Sequence, residues 1–304
     1  MFDGKWVWIW NWRRCDGGEA TRVAERLKTA GCAGALVKAH DGPYWFDQGQ
    51  PWREICRALK SLGLKVAGWA YLYGHDWQGE AQRVIETIEY GEADAFVLDV
   101  ESEFKGRPDV ADALCQRLRQ AVGPAFPLFY STFAIARYHR EFPYAAFERH
   151  CSGTLPQVYF NAFRWPVEQA LGWTYEDYAS LGIAADRVFP VAGAYAEGYI
   201  TYPSAEELQR FVQIASGRGS KGVSFWSYEH MDDIRWQALK ANPWPVAGMP
   251  WTGWTDETEE LRQEIASLRS QNQELSRQSL DFAGRISRGM ELAREMLKVL
   301  QAGV

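Results

Sequence analysis

The chain has 304 residues, enough for one large barrel or for two ordinary domains. Its hydrophobic content of 47% and charged content of 24% are those of a soluble globular protein. A net charge of −6 gives no reason to expect a nucleic-acid partner, and no stretch approaches the roughly 20 apolar residues of a membrane span.

In the first half of the chain, short apolar strands alternate with amphipathic helices. Strands are predicted at 5–12, 33–39 and 64–71, and a fourth in the stretch 93–104. Helices are predicted at 19–30, 51–62 and 79–90. Gly31 and Gly63 follow two of these helices as stop signals, and Pro51 lies near the first turn of another.

The second half keeps the same alternation. Helices are predicted at 108–122, 167–181, 204–215 and 232–240, with less regular helical pieces at 133–150. Ser204 and Glu207 have the spacing of a capping box at the start of the third of these helices. Strands are predicted at 126–131, 155–160, 187–192 and 221–226, the third of them interrupted by Pro190.

Eight apolar strands, about 30 residues apart and alternating with helices, predict a (β/α)8 TIM-like barrel over residues 1–243. Strands without strict apolar-polar alternation suit a parallel sheet that is covered on both faces. A doubly wound open sheet is the alternative, although the first strand lacks the glycine-rich turn of a dinucleotide fold.

A pair of carboxylates ends the fourth strand. Residues i and i+2 of a strand share a face, so Asp99 and Glu101 are predicted to point the same way. Desolvation and mutual repulsion should raise at least one pKa, which keeps a carboxylic acid protonated near neutral pH. An isolated D-x-E pair also fits solvated carboxylates, or carboxylates paired with a Lys or Arg. The strand end of a barrel is, however, where active sites lie.

Polar and aromatic side chains are predicted at the other strand ends. Together with 15 tryptophans in the chain, they resemble a sugar site, with hydrogen-bonding groups for hydroxyls and flat faces for rings. The predicted substrate-binding residues are Asn11, Asp41, Tyr71, Tyr73, Tyr130, Gln157, Tyr159, Tyr195, Glu197, Trp226 and Tyr228.

We predict neither a metal nor a cofactor. The five cysteines share no C-x-x-C spacing, and the five histidines show no H-x-H or H-x-x-x-H pairing, so buried reduced thiols are expected. The N-terminus MFDGKWVWIWNW has no signal-peptide pattern. Synthesis in the cytoplasm is expected, with a phage or virion location or a non-classical export route if the protein acts outside the cell.

The character of the sequence changes after the barrel. Residues 244–255 form a Pro/Gly/Trp linker, and residues 256–304 are predicted to be a helical coiled-coil tail. The 4-3 spacing is carried by Leu261, Ile265, Leu268, Asn272, Leu275, Ser279, Phe282 and Ile286. The tail is expected to join two or three barrels or to dock on a larger assembly. A long helix packed on the barrel is the alternative.

Four segments of the barrel resemble the lysozymes of glycoside hydrolase family 25 and related peptidoglycan hydrolases. They are LVKAHDG at 36–42, LGLKVAGWAYLYG at 62–74, FVLDVES at 96–102 and PLFYST at 127–132. The resemblance covers residues 4–240 and implies hydrolysis of an N-acetylated glycan such as peptidoglycan. It implies Glu101 as general acid and Asp99 as the group that orients the acetamido group or stabilises the transition state.

The sequence departs from that family pattern in two strands. The first strand has only Asn11 where the family has an acid, and the last offers Glu229, or Asp232 and Asp233, in place of a late aspartate. Besides a glycoside hydrolase, two readings stay open at this point. One is a non-catalytic glycan-binding or scaffold barrel in a phage or injection-type assembly, and the other is an unrelated barrel enzyme.

Overall fold

A computed structural model describes residues 2–46 and 50–244, and these residues form a closed barrel of eight parallel strands with one short antiparallel strand added. The strands are β1 (Gly4–Ile9), β2 (Gly34–Asp41), β3 (Tyr44–Trp45), β4 (Lys65–Leu72), β5 (Ala95–Val100), β6 (Leu128–Phe133), β7 (Gly153–Val158), β8 (Val191–Gly193) and β9 (Gly222–Trp226). The predicted linker beyond Trp244 and the predicted coiled coil at 256–304 lie outside the described residues, so both stay predictions.

Closure of the barrel comes from β1, which pairs in parallel with β2 on one side and with β9 on the other. Trp6 is in register with Gly34 of β2 and with Ser224 of β9. An open doubly wound sheet has two edges, and this sheet closes on itself, so the (β/α)8 prediction is confirmed. β3 pairs with the end of β2 in antiparallel register, at the edge of the described sheet.

Helices cover the outside of the barrel. They are α1 (Ala20–Thr29), α2 (Trp52–Ser61), α3 (Trp77–Gly91), α4 (Pro108–Val122), α5 (Tyr144–His150), α6 (Phe160–Phe163), α7 (Val167–Ser180), α8 (Ala205–Gly217) and α9 (Asp233–Ala241). The predicted capping box is present, since Ser204 Oγ accepts from the Glu207 N–H at 3.1 Å and the Glu207 carboxylate accepts from the Ser204 N–H at 2.7 Å.

The strands divide their side chains between two cores. Ala95 and Val97 of β5 point into the barrel, whereas Phe96, Leu98 and Val100 pack against the outer helices. The interior combines large and small side chains that fill the barrel in layers. Its members are Phe2, Trp6, Trp8, Leu36, Ala67, Trp69, Ala95, Val97, Phe129, Leu155, Phe189 and Val191.

Gly34 shows how tightly this interior is filled. A Cβ at Gly34 would lie 2.6 Å from the Trp6 ring and 2.3 Å from the Lys65 carbonyl oxygen. The indole of Trp6 therefore occupies the space that any larger residue at position 34 would need.

The seventh barrel strand is shorter than the sequence predicts. β8 holds only three residues, Val191–Gly193, whereas the sequence predicted residues 187–192. Pro190 has no N–H to donate to a neighbouring strand, so regular pairing begins after it. Val188 keeps an isolated parallel bridge to Thr154 of β7.

The thiols and the hydropathy of the helices complete the description of the fold. The five cysteines are free and buried, as predicted. Among residues 2–46 and 50–244, none of the helices is long and apolar enough to cross a membrane.

Candidate active site

A cavity of about 410 Å³ opens where the barrel strands end. It lies at the carboxyl ends of the strands, the end of such barrels that carries active sites. We call it the cleft. It is lined by Trp8, Trp10, Lys38, Asp41, Trp69, Tyr71, Tyr73, Asp99, Glu101, Ser131, Gln157, Tyr159 and Trp226.

The carboxylate pair is joined by one amide. Asp99 is the inward-facing residue near the end of β5, and Glu101 follows the last residue of that strand. The side-chain amide of Gln157 donates to Asp99 Oδ1 at 3.0 Å and to Glu101 Oε1 at 2.9 Å. Both carboxyl groups line the cleft, as the i, i+2 spacing predicts.

The surroundings of the pair favour its protonated forms. Burial, and then repulsion from Glu101, raises the pKa of Asp99 well above its ordinary value, while the amide of Gln157 opposes the shift. Burial likewise raises the pKa of Glu101, and the nearby charge of Glu103 adds to that effect. Two interacting carboxyls titrate as a unit, so the pair retains a proton at a higher pH than an isolated carboxylate does.

Three tryptophans form the apolar wall of the cleft. The rings of Trp8, Trp69 and Trp226 meet edge to face, with centroids 5.3–5.9 Å apart. The indole N–H of Trp8 donates to Ser224 Oγ at 2.9 Å, and that of Trp69 donates to the Ile9 carbonyl at 3.1 Å. These bonds fix the rings, so the wall offers rigid flat faces.

The rim beside this wall is built from phenols and carboxylates. The Tyr73 hydroxyl donates to Asp41 Oδ1 at 3.2 Å, and the Tyr71 hydroxyl donates to Glu103 Oε2 at 2.8 Å. The two tyrosine rings meet edge to face at 5.0 Å. Burial and the adjacent carboxylates raise the pKa of Tyr71, so it stays a neutral phenol.

An irregularity in β2 decides which of its residues face the cleft. Lys38 is in register with Trp69 of β4 and His40 with Ala70, so Ala39 is an extra residue on β2. Strict alternation would turn His40 inward. Instead the His40 ring stacks on outward-facing Phe96, and Asp41 lines the cleft. Burial lowers the pKa of His40 to about 3, so its imidazole is neutral.

Several predicted site residues lie where the sequence places them. Besides the carboxylate pair, the cleft is lined by the predicted residues Asp41, Tyr71, Tyr73, Gln157, Tyr159 and Trp226. Their functional roles stay predictions, because a position on the wall of a cleft does not by itself show binding.

The prediction for Tyr130 needs correction. It points away from the cleft on β6, is fully buried, and donates its hydroxyl to Glu148 Oε1 at 2.8 Å. Its neighbour Ser131 faces the cleft instead. The sequence analysis chose Tyr130 because it is the aromatic residue at this strand end. Adjacent residues of a strand face opposite sides, so only one of Tyr130 and Ser131 can face the cleft.

Tyr228 and Asn11 also serve the structure rather than lining the cleft. The Tyr228 hydroxyl donates to Asp16 Oδ2 at 2.5 Å, and its ring packs on Trp236. The Asn11 side chain accepts from the Arg13 N–H at 3.1 Å and caps a short 3-10 turn after β1.

Tyr195 and Glu197 lie in the segment after β8, and neither is among the residues that line the cleft. The Tyr195 ring meets the ring of the cleft residue Tyr159 edge to face, with centroids 6.0 Å apart. Glu197 is exposed, and its backbone bridges to Ile200.

The acids that the sequence offers in place of the late family aspartate have hydrogen-bond or ion-pair partners outside the carboxylate pair. The Glu229 carboxylate accepts from the backbone N–H groups of Trp10 and Asn11 at 3.0 and 2.9 Å. Asp232 caps α9 by accepting from the Arg235 N–H at 3.0 Å. Asp233 makes a 3.7 Å ion pair with Arg26. Glu229 and Asp232 therefore stabilise local structure, whereas Asp233 is almost fully exposed and does not line the cleft.

The sequence analysis missed Trp8, Trp10, Lys38, Trp69 and Ser131, which also line the cleft. A signal was available for most of them. Trp8 and Trp10 share a strand face with Trp6, Trp69 lies two residues before Tyr71, and Lys38 lies two residues after Leu36.

Among the described residues, no group of three or more His, Cys, Asp or Glu side chains is placed to hold a metal ion.

Comparisons with known proteins support the fold. No family model matches the sequence, and no curated protein sequence matches it. A chitinase from Chromobacterium violaceum matches with a TM-score of 0.64 at 12% identity, over 81% of this chain and 100% of that one. A chitinase of glycoside hydrolase family 18 from Flavobacterium johnsoniae matches with a TM-score of 0.60 at 9% identity, over 79% and 93%.

The spore cortex-lytic enzyme SleL from Bacillus cereus matches with a TM-score of 0.60 at 8% identity, over 79% of this chain and 74% of that one. At such identities the likeness shows a shared (β/α)8 barrel and nothing finer. These three structures give no support to family 25 in particular. The chemistry has to be argued from the cleft itself.

Proposed function

We propose that this protein is a glycoside hydrolase that cleaves an N-acetylated glycan in the cleft. The observation that carries the proposal is the pair Asp99 and Glu101, bridged by Gln157 beside a wall of fixed tryptophans. Most glycosidases use two carboxyl groups that flank the scissile bond. Three solved structures with this fold are named as chitinases or as a cortex-lytic enzyme, which also supports the proposal.

Glu101 is proposed as the general acid. It is half-buried, lines the cleft and has a raised pKa, so it is suited to hold a proton and to deliver it. It protonates the glycosidic oxygen as the bond from that oxygen to the anomeric carbon breaks. The resulting carboxylate then takes a proton from the water whose oxygen attacks the anomeric carbon, which restores the acid and completes the hydrolysis.

Asp99 is proposed to act beside Glu101 without transferring a proton to the leaving group. It is only 8% exposed and has no cationic hydrogen-bond partner among the described residues, so its charge is poorly solvated. In that position it orients the substrate's acetamido group or stabilises the oxocarbenium-like transition state. Substrate-assisted glycosidases use the acetamido oxygen as the nucleophile in place of an enzyme carboxylate.

The remaining cleft residues are proposed to hold the sugar. Pyranose rings present apolar faces that stack on tryptophans such as Trp226, while Tyr71, Tyr73 and Asp41 offer hydrogen bonds to hydroxyls. Peptidoglycan and chitin both carry N-acetylated sugars. Peptidoglycan is the substrate that the sequence favoured, and we keep it as the first one to test.

The test is the release of new reducing ends from purified peptidoglycan and from chitin oligosaccharides. Glu101→Gln keeps the shape of the side chain and removes the transferable proton, so the rate is expected to fall at least about 100-fold with little change in stability. Tyr130→Phe is a matched control, because its hydroxyl lies outside the cleft. It is expected to keep the wild-type rate.

A Glu101→Gln variant with near wild-type turnover would exclude Glu101 as the acid. If neither protein releases reducing ends but both are retained on the insoluble glycan, the barrel is a glycan-binding module. That outcome would replace the hydrolase proposal.

The tail and the place of action are separate proposals. We propose that residues 256–304 join barrels to one another or attach them to a larger assembly, of the phage or virion type. The periodic apolar spacing of that segment in the sequence supports this.

A further inference from the structure

Strand β3 forms a hairpin with the end of β2 beside the cleft. Asp41 pairs with Tyr44 across a two-residue turn, and the next pair is His40 with Trp45. Side chains of directly opposed residues in a hairpin lie on the same face. The Tyr44 side chain therefore lies on the face of Asp41, which lines the cleft. The Trp45 side chain lies on the outer face with His40.

Tyr44 presents its ring to solvent on this inner face of the hairpin. Among residues 2–46 and 50–244, no hydrogen bond or ring contact engages its side chain. Single exposed aromatic residues are common on protein surfaces and need no explanation by themselves. Tyr44 differs from them because it continues a row of residues that begins at the carboxylate pair.

The row runs through residues of three neighbouring strands. Tyr71 is in register with Asp99, and the rings of Tyr71 and Tyr73 meet edge to face at 5.0 Å. The Tyr73 hydroxyl donates to Asp41 Oδ1 at 3.2 Å, and Asp41 is the hairpin partner of Tyr44. The exposed fraction rises from 8% at Asp99 to 38% at Tyr73 and 75% at Tyr44. The row therefore leads from the carboxylate pair out of the cleft.

A buried carboxylate holds the backbone of Tyr73. Glu80 is only 1% exposed and accepts from the backbone N–H of Tyr73 at 2.9 Å and from that of Gly74 at 2.9 and 3.1 Å. The Tyr73 ring lies on the hairpin turn, where a Cβ at Gly42 would be 3.2 Å from it. Gly42 has a φ of +52°, so glycine permits both this turn and the close approach of the ring. Tyr73 is thus fixed at its backbone and at its ring.

The hairpin is fixed from the outside by Arg83 of α3. The Arg83 Nε donates to the Pro43 carbonyl at 3.0 Å, and its guanidinium lies 4.8 Å from the centroid of the Trp45 ring. On the inner side, the ring of Phe46 lies 6.1 Å from that of Trp10, which lines the cleft. A surface that is rigid before binding loses little conformational entropy when a ligand stacks on it.

The cleft holds about 410 Å³, within the range of about 300–1,000 Å³ for pockets that enclose one small molecule, so a bound polysaccharide continues outside it. We propose that Tyr44 extends the cleft by one sugar-binding subsite, which it forms with Tyr73 and Asp41 and which binds the continuation of the glycan chain. We call it the rim subsite. Its rings offer flat apolar faces to a pyranose, and the Asp41 carboxylate accepts hydrogen bonds from sugar hydroxyls. The inference rests on the proposed function and adds that the substrate is a chain longer than the cavity.

The test is the binding of N-acetylglucosamine oligosaccharides to the full chain, measured by isothermal titration calorimetry in the Glu101→Gln background to suppress cleavage. Peptide-free glycan strands from peptidoglycan are the second probe. Adding Tyr44→Ala is expected to raise the Kd for a hexasaccharide about 10-fold, because one stacked ring is lost, and that for a disaccharide less than about 2-fold. Tyr44→Phe keeps the ring and is expected to retain the hexasaccharide Kd within about 2-fold.

Tyr90→Ala is the matched control. Tyr90 is an exposed tyrosine in the last turn of α3, near the start of β5 and so at the opposite end of the barrel from the cleft. Its removal is expected to leave both Kd values unchanged. If Tyr44→Ala leaves the hexasaccharide Kd unchanged, or raises both Kd values equally, the rim subsite does not exist. Absence of binding to every oligosaccharide and glycan strand would also overturn the proposal.

Turnover separates this inference from the proposed function. In the chain that retains Glu101, Tyr44→Ala is expected to lower the ratio of kcat/KM for a hexasaccharide to that for a trisaccharide about 10-fold. A protein that binds longer chains more tightly through Tyr44 but cleaves none of them would refute the hydrolase and support the rim subsite. A protein that cleaves the glycan with a ratio insensitive to Tyr44→Ala would support the hydrolase and refute the rim subsite.

Discussion

Asp99 shows how the burial of a single residue links the stability of the barrel to the chemistry that we propose for it. It lies among side chains that leave only 8% of its surface exposed, and its partners are an amide and a hydroxyl rather than a directly bonded cation. Its anionic form is therefore less stable in the folded protein than in the unfolded chain. Residues that perform chemistry are often placed where they cost stability.

The unfavourable anionic form predicts the direction in which Asp99→Asn changes the stability of the protein. Because the pKa is raised in the folded state, the contribution of Asp99 to stability is present at low pH and is lost as the pH rises through the folded pKa. Asparagine does not titrate. The variant is therefore expected to melt about 2–4 °C above the wild type at pH 8 and close to it at pH 4.

Asp112→Asn is the opposite case and serves as the control. Hydrogen bonds from Arg149 and His150 lower the pKa of Asp112, so its small contribution is present at neutral pH and is lost on acidification. That variant is expected to be slightly less stable than the wild type at pH 7. If Asp99→Asn is less stable at pH 8 than at pH 4 relative to wild type, Asp99 does not carry a raised pKa.

At the scale of secondary-structure elements, local signals fix where helices begin. The predicted bounds of the long helices lie within two residues of the observed ones, and α4 has the predicted bounds, Pro108–Val122. Capping is a contact between neighbours in sequence, so it is visible without knowledge of the fold. α8 carries the clearest case, with reciprocal bonds between Ser204 and Glu207.

Ser204→Ala is expected to lower the free energy of unfolding by about 1 kcal/mol, the usual contribution of an N-cap hydroxyl. Activity should be unchanged, because α8 contributes no residue to the lining of the cleft. Denaturant unfolding measures the change. Ser61→Ala is the control, since Ser61 is exposed near the end of α2 and caps no helix start; equal losses in both variants would argue against the capping box.

At the scale of the whole molecule, the barrel closes through its own strands. β1 pairs with both β2 and β9, so its sheet needs no contribution from residues after α9. Its interior is filled by its own side chains. We therefore expect the barrel to fold without residues 256–304.

Removal of residues 256–304 is therefore expected to leave a folded, monomeric barrel with the wild-type melting temperature to within about 5 °C. Light scattering after size-exclusion chromatography gives the oligomeric state, and thermal unfolding gives the stability. The full-length chain, measured in the same way, is the control. Unfolding of the truncated chain would mean that the tail packs on the barrel, and a full-length monomer would argue against an oligomeric coiled coil.

The sequence by itself determined the alternation of strands and helices, the barrel class, the capping box and the common face of Asp99 and Glu101. The capping box and the common face depend on neighbours within one or two turns of the chain, and the barrel class depends on the regular spacing of about 30 residues between strands. Both kinds of pattern are visible in the sequence. The same reasoning placed Tyr71 and Tyr73 beside the cleft. It erred at Tyr130 and Tyr228, where residue type was given more weight than strand face or the direction of a loop.

Only the tertiary structure decided what surrounds the pair. The bridge from Gln157 spans β5 to β7, and the extra residue in β2 turns Asp41 rather than His40 into the cleft. Lys38 reaches the cleft from a strand that is more than 55 residues earlier in the chain than Asp99. Such placements depend on the register between strands, which is set by packing across the whole barrel and leaves no local trace in the sequence.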